Sequence, residues 1–430
     1  MKFALVLLSV LLASTYAKVG FGPGDQEWDH VEVRDGAFMF WWMYFTTADV
    51  SSYTERPIII WLQGGPGAAS TGYGNFAELG PLDTDLNPRD YTWVKDANVM
   101  FIDNPVGTGF SYVTDSSKYT TDNRQIALDL VEMMRGFYKK LPEFKSVPLY
   151  ITSESYGGKM AAEFALVLEQ AVREGTIEAN FKGALLGDGW VSPIDSVLTW
   201  APYLLHFGVV DVDGYNAVDK AAQKTKQYLD DGQFVAATNQ WGETEGVIMQ
   251  ETDYVDFYNI LKKISWYKYK NKPFYYRLIK PAVRDDDDDK MDKIMPQVAE
   301  KLNISHRFDS QSGNVFNKLS GDFMKANTHI VEELLNTTSV KCFVINGQLD
   351  LIVDTPGTVK WVDALQWTGK DGYVNKQRQS MVVNGIIEGY EKTYSTFGMF
   401  WVNRAGHMVP ADNPTAMDYI LRKLTDDYSG

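Results

Sequence analysis

Val147-Pro148-Leu149-Tyr150-Ile151-Thr152-Ser153-Glu154-Ser155-Tyr156-Gly157-Gly158 is the stretch on which the architecture turns. Val147 to Thr152 reads as a buried strand, and Lys159 to Arg173 reads as a helix. A serine sits at the tip between them, with the small residues Ser153 and Gly157 two before and two after it. A strand-to-helix turn this tight needs small neighbours there, because large side chains would collide. The backbone N–H of Tyr156, at the helix start, points at developing negative charge. The elbow more often carries glycine at the first of those positions; here Ser153 stands in its place.

The strands around this turn set the fold class. Trp28 to Thr47 reads as a hairpin joined at Asp35-Gly36. Pro57 to Leu62, Ala97 to Ile102, Phe181 to Leu186, Ser339 to Asn346 and Thr396 to Asn403 read as further strands. A helix capped by Thr121 or Asp122 carries Leu128, Val131, Met134, Phe137 and Leu141 on one face and stops at Pro142. Asp412 or Asn413 caps a last helix with Pro414 in its first turn. Strands alternating with helices predict an α/β fold with a mostly parallel sheet and helices on both faces. From about Val191 to Lys325 the chain turns helical and charged, as an inserted cap would. The expected division is residues 1–17 as a signal peptide, 18–190 and 326–430 as the two parts of the core, and 191–325 as the cap. The five aspartates Asp285 to Asp289 read as a solvated loop within it.

Two further residues complete a chemistry for Ser155. Asp350 follows the strand Val340 to Ile345 through Asn346-Gly347-Gln348-Leu349, and His407 follows the strand ending at Asn403. Serine, then acid, then histidine is the order of an α/β-hydrolase triad. Of the five histidines, only His407 lies in a loop between a core strand and the last helix.

Composition agrees with this and narrows it. With 45% hydrophobic and 13% aromatic residues the chain can bury a sizeable core. A net charge of −15 argues against a nucleic-acid partner. Met1-Lys2, the apolar run Phe3 to Leu12 and the small Ala17 form a secretory signal pattern, too short to span a membrane. Asn303-Ile304-Ser305 and Asn336-Thr337-Thr338 are glycosylation triplets, so Asn303 and Asn336 are candidate acceptors. Cys342 is the single cysteine, in an apolar run, and reads as a buried strand residue. No phosphate-cradling loop and no metal-ligand spacing such as His-Glu-x-x-His is present.

Four motifs together resemble one family. Trp61-Leu62-Gln63-Gly64-Gly65-Pro66-Gly67, Asp103-Asn104-Pro105-Val106-Gly107-Thr108-Gly109-Phe110-Ser111-Tyr112, Ser153-Glu154-Ser155-Tyr156-Gly157-Gly158 and Gly406-His407-Met408-Val409-Pro410 are similar to those of the serine carboxypeptidases (peptidase family S10). The form with glutamine before the double glycine is most similar to the retinoid-inducible branch. The resemblance implies that Gly65 and Tyr156 supply the oxyanion N–H groups. It implies that Gln63, the Gly64 N–H and Glu154 hold a substrate's C-terminal carboxylate, with Glu78 close to Glu154. If Glu154 and Glu78 share one proton, the protonated acid can donate to that carboxylate. Gln63 stands where the family commonly has asparagine, and Ala68 where it often has a disulfide cysteine. The expected activity is release of C-terminal amino acids from peptides with a free C-terminus, at acidic pH and without cofactor or metal. The protein is then a secreted or lysosomal enzyme, monomeric or homodimeric. An esterase or acyltransferase using the same triad, and a non-catalytic binding protein of the same fold, are the alternatives.

Overall fold

In the computed structural model, which describes residues 18–264 and 285–426, a 12-stranded sheet organises the chain. The signal pattern, residues 1–17, lies outside the described residues. The chain enters through the short β1 (Lys18–Val19) and the hairpin of β2 (Asp25–Arg34) and β3 (Ala37–Tyr44), which turns at Asp35-Gly36 with Gly36 at φ 70°. Along β3, Met39, Trp41 and Met43 enter one hydrophobic core, while Phe40, Trp42 and Tyr44 enter the other. Side chains of a strand alternate between faces, so this one strand is buried on both sides.

Then come β4 (Ile58–Leu62), β5 (Asn98–Asp103), the short β6 (Tyr112–Val113), α1 (Asn123–Lys140), β7 (Pro148–Glu154), α2 (Tyr156–Arg173) and β8 (Asn180–Gly187). Every residue of β4 and β5 is buried. Continuous apolar runs of this kind mark parallel strands covered on both faces. Asp122 caps α1 by accepting a 2.9 Å hydrogen bond from Gln125 N. Leu128, expected on the inner face of α1, is instead 42% exposed. The inner face runs through Ile126, Leu130, Met133, Met134 and Phe137. At about 100° per residue, position 128 lies roughly opposite 126.

Between β8 and β9 (Lys341–Gly347) lie α3 (Pro193–His206), α4 (Val212–Asp230), α5 (Phe234–Glu251), α6 (Asp285–Leu302), α7 (Gly313–Phe323) and α8 (Thr328–Thr337). The sheet takes no strand from this stretch among the described residues. Asp285 to Asp289 do not form the expected loop: they open α6. Trp200, Trp241, Phe316 and Phe323 from α3, α5 and α7 enter the core of Trp41. Met291, Met295 and Val298 from α6 enter that of Trp42.

After β9 come α9 (Thr355–Ala364), α10 (Lys370–Asn375), the hairpin of β10 (Gln379–Val383) and β11 (Ile386–Tyr394), and β12 (Phe397–Val402). The chain ends with α11 (Val409–Asp412) and α12 (Pro414–Thr425). The β10–β11 hairpin was not anticipated, although Asn384-Gly385, both at positive φ, is a strong turn signal. Its flanks hold the exposed Val382, Ile386 and Ile387 rather than a clean alternation. The sheet order is β1-β2-β3-β5-β4-β7-β8-β9-β12-β11-β10, with β6 beside β3. From β5 to β12 in that order neighbours are parallel, and the flanking pairs are antiparallel. Loops at the carboxyl ends of such parallel strands are where α/β sheets bind ligands.

Phe137 is fully buried, edge-on to Trp41 with ring centroids 5.1 Å apart. Phe137→Ala is expected to cost about 3–5 kcal/mol, read as a lower urea midpoint at unchanged slope. A loss below about 1 kcal/mol would mean that the α1–sheet contact contributes little.

Candidate active site

Backbone crowding places Ser155. It joins β7 to α2 at φ 63°, ψ −131°, a conformation non-glycine residues rarely adopt. A Cβ on Gly157 would collide with Leu62 O, and one on Gly64 would lie 2.5 Å from Ser155 Cβ. Ser153 replaces glycine without penalty because its Oγ donates to Leu185 O at 3.0 Å on β8. Tyr156 begins α2, so its N–H precedes the first intrahelical bond. Gly65, at φ 105°, faces the same turn from the loop after β4.

The acid and the histidine arrive on the loops after β9 and β12. His407 Nδ1 and Asp350 Oδ2 are 2.7 Å apart, and neither side chain is exposed. With Nδ1–H donating to the carboxylate, Nε2 is the acceptor nitrogen. Nε2 is buried and has no hydrogen-bond partner, so the Ser155–His407 hydrogen bond is not made. Both residues nevertheless line one cleft of about 410 Å³, and catalytic hydrogen bonds often tighten only when substrate binds. Burial lowers the His407 pKa to about 4, against the opposing pull of Asp188, Glu78, Asp256 and Asp412.

The same cleft holds Gln63, Gly64, Gly65 and Glu154. Trp61 Nε1 donates to Gln63 Oε1 at 2.7 Å, which turns the amide NH2 toward Glu154 Oε1 at 2.9 Å and Glu78 Oε1 at 3.1 Å. Glu78 comes from a π-helical segment, Ser70–Leu79, and does not line the cleft. It stands behind Gln63 and Glu154. Gln63 thus bridges the two carboxyls, and burial raises the pKa of both. Glu154 is raised further by the charge of Glu78.

Three supporting features carried no recognisable sequence signal. Residues 252–264, which follow α5, strap the two loops together: Phe257 O accepts from Leu351 N and Ile352 N at 2.9 Å, and Tyr258 O accepts from His407 N at 2.8 Å. The Tyr258 ring meets the imidazole edge-on, centroids 4.4 Å apart. Asp188, just after β8, accepts from Gly347 N at 2.8 Å. Lys159, wholly buried, reaches Asp322 Oδ2 at 2.9 Å and the carbonyls of Asp322 and Lys325, while Tyr156 OH donates to Asp322 at 2.8 Å. That cluster ties the start of α2 to the end of α7. Asp188, Asp350 and His407 bring their ligand-type atoms within 4.8 Å of one another. A cation among them would have to displace the 2.7 Å hydrogen bond.

The sheet and the serine elbow define an α/β-hydrolase. The serine carboxypeptidase family model matches residues 19–427, and the chain belongs to that family of serine-type hydrolases. It is 40% identical to human retinoid-inducible serine carboxypeptidase, over 98% of this chain and 96% of that protein. It is 35% identical to "Serine carboxypeptidase-like 51" of Arabidopsis thaliana, over 98% of this chain and 97% of that one. The crystal structure of a prohormone-processing carboxypeptidase from Saccharomyces cerevisiae matches its fold with a TM-score of 0.79 at 22% identity, over 94% of this chain and 92% of that one. No helix among the described residues is long and apolar enough to cross a membrane.

Removing Lys159 would leave Asp322 without its cation. Lys159→Ala is expected to cost about 3–5 kcal/mol in urea unfolding, whereas pairing Lys159→Met with Asp322→Asn, which keeps an acceptor for the Tyr156 hydroxyl, should recover part of that loss. A single variant as stable as the parent would exclude the pair as an anchor.

Proposed function

We propose that this serine carboxypeptidase releases the last residue of peptides through an acyl-enzyme on Ser155. The observation that carries the reading is the buried 2.7 Å Asp350–His407 hydrogen bond beside the Ser155 elbow, in a cleft that also holds Gln63 and Glu154. His407 Nε2 takes the Ser155 proton as Oγ attacks the last peptide carbonyl. Asp350 fixes the tautomer and stabilises the imidazolium. The N–H groups of Gly65 and Tyr156 receive the oxyanion, each worth about 3–4 kcal/mol of barrier. His407 then protonates the leaving amino acid, and water, activated by the same imidazole, cleaves the ester. None of these steps uses a cofactor.

Recognition of the free terminus falls to Gln63, the Gly64 N–H and Glu154. An ionised Glu154 would repel a carboxylate. A Glu154 that keeps the proton it shares with Glu78 donates to it instead. Burial holds both glutamates above their usual range, so this mode persists in mildly acidic solution and fails once the pair ionises. The His407 pKa of about 4 leaves the base neutral over the same interval.

The signal pattern places the protein in the secretory pathway, with a secreted or lysosomal destination. Asn303 and Asn336 are exposed and serve as glycosylation acceptors. The active form is a monomer or a homodimer.

A peptide with a free C-terminus and its amidated twin, compared from pH 4 to pH 8, test the reading. The free peptide should be cleaved at least about 10²-fold faster. Its KM should rise with pH while the acid limb of kcat lies near 4, the His407 value, and Ser155→Ala should abolish turnover. Equal cleavage of the twins, or a flat KM, would reject carboxylate recognition by the glutamate pair.

A further inference from the structure

We propose that Asp188 is a positioning residue for the reaction: its protonated carboxyl donates a hydrogen bond to Asp350 and keeps the orienting acid singly charged. The inference rests on the assignment of Asp350 and His407 above. Asp188 lies one residue beyond β8 at φ 42° and is 1% exposed. Its N–H donates to Ile345 O and its Oδ1 accepts from Gly347 N, both at 2.8 Å. Main chain and side chain are thus fixed to β9, the strand that delivers Asp350. Oδ2 is buried and has no hydrogen-bond partner, and carboxylate oxygens of Asp188 and Asp350 lie within 4.8 Å of each other.

Two buried carboxyls this close favour sharing a proton over carrying two charges. Asp350 accepts from His407 Nδ1 at 2.7 Å and from Val353 N at 3.2 Å. Asp188 accepts a single N–H, so the proton belongs on Asp188. Burial, then the charge of Asp350, favours its neutral form.

The titratable groups around the trio are Glu154 and Glu78 from the cleft side, Asp256 and Tyr258 from the strap, Asp354 and Tyr203 behind Asp350, and Asp412 beyond Gly406. Each is an acid or a phenol. The nearby Lys262 ammonium is 3.9 Å from Asp412. With no lysine or arginine paired to Asp188 or Asp350 among the described residues, loss of the Asp188 proton puts two like charges side by side. The pair then separates and Asp350 no longer holds the imidazole in place, so turnover has an alkaline limit set at Asp188. The limit is separate from carboxylate recognition: it acts on kcat, whereas the glutamate pair acts on KM.

Asparagine reproduces the pattern, with Oδ1 accepting from Gly347 N and Nδ2 donating to Asp350, but has no proton to lose. The test is the pH profile of kcat, from about pH 4 to 10, on an ester without a free carboxylate, which bypasses Glu78 and Glu154. For Asp188→Asn the alkaline limb should move up by about one pH unit or more. For Asp188→Ala kcat should fall about 10- to 100-fold, the loss of one hydrogen bond to a charged acceptor, with KM little changed. A residue that only stabilised the fold would lower the melting temperature and leave the limb in place. If Asp188→Ala does not fold, Asp188→Asn decides alone. The proposal is overturned if the Asp188→Asn profile superimposes on the parent's, or if the parent has no alkaline limb. Turnover surviving in Ser155→Ala would instead bring down the triad assignment itself.

Discussion

The 2.7 Å contact between His407 Nδ1 and Asp350 Oδ2 is sealed from solvent on both sides, and the rest of the site is built to permit it. The two residues lie on loops after neighbouring strands, which must approach at backbone distance. A side chain on Gly347 would strike Gly406 O, and one on Gly406 would strike Tyr258 O. Sealing also has an electrostatic effect. In a poorly polarisable interior a hydrogen bond to a charge is stronger, and an unpaired charge is costlier. The imidazole therefore stays neutral to about pH 4, while its one fixed partner holds the orientation a base needs.

Burial, rather than paired cations, sets the acid–base character of this region. Glu78 with Glu154, and Asp188 with Asp350, form two carboxyl pairs within one site, and desolvation is the largest influence on all four groups. The buried ammonium of Lys159 stands behind the elbow and is matched to Asp322. A cation beside Glu154 or Asp350 would pull off the shared protons and leave two plain anions.

The parts of the molecule legible in the sequence were those governed by local sterics. The elbow at Ser155, the Gly64-Gly65 turn and the order serine, acid, histidine follow from which residues fit a tight turn and which loops follow a strand. The departure at Ser153 became intelligible only with β8 in place, since the carbonyl that accepts its hydroxyl belongs to Leu185. Asp188 and the strap left no trace because their meaning lies in partners more than a hundred residues away, Asp350 and His407. The aspartate run was read as a loop from its charge alone, whereas its backbone opens α6. The β10–β11 hairpin was missed because its exposed Val382, Ile386 and Ile387 blur the alternation expected of an edge.

The strap has a consequence for the life history of the molecule. Tyr258 lies in the long excursion between β8 and β9, yet its carbonyl holds the His407 backbone and its ring rests on the imidazole. Contacts this distant in sequence form slowly, because the loop must close before they contribute. A nascent chain whose sheet has assembled, but whose excursion has not yet docked, has no anchored histidine. The setting of the imidazole thus depends on the docked excursion as well as on the sheet.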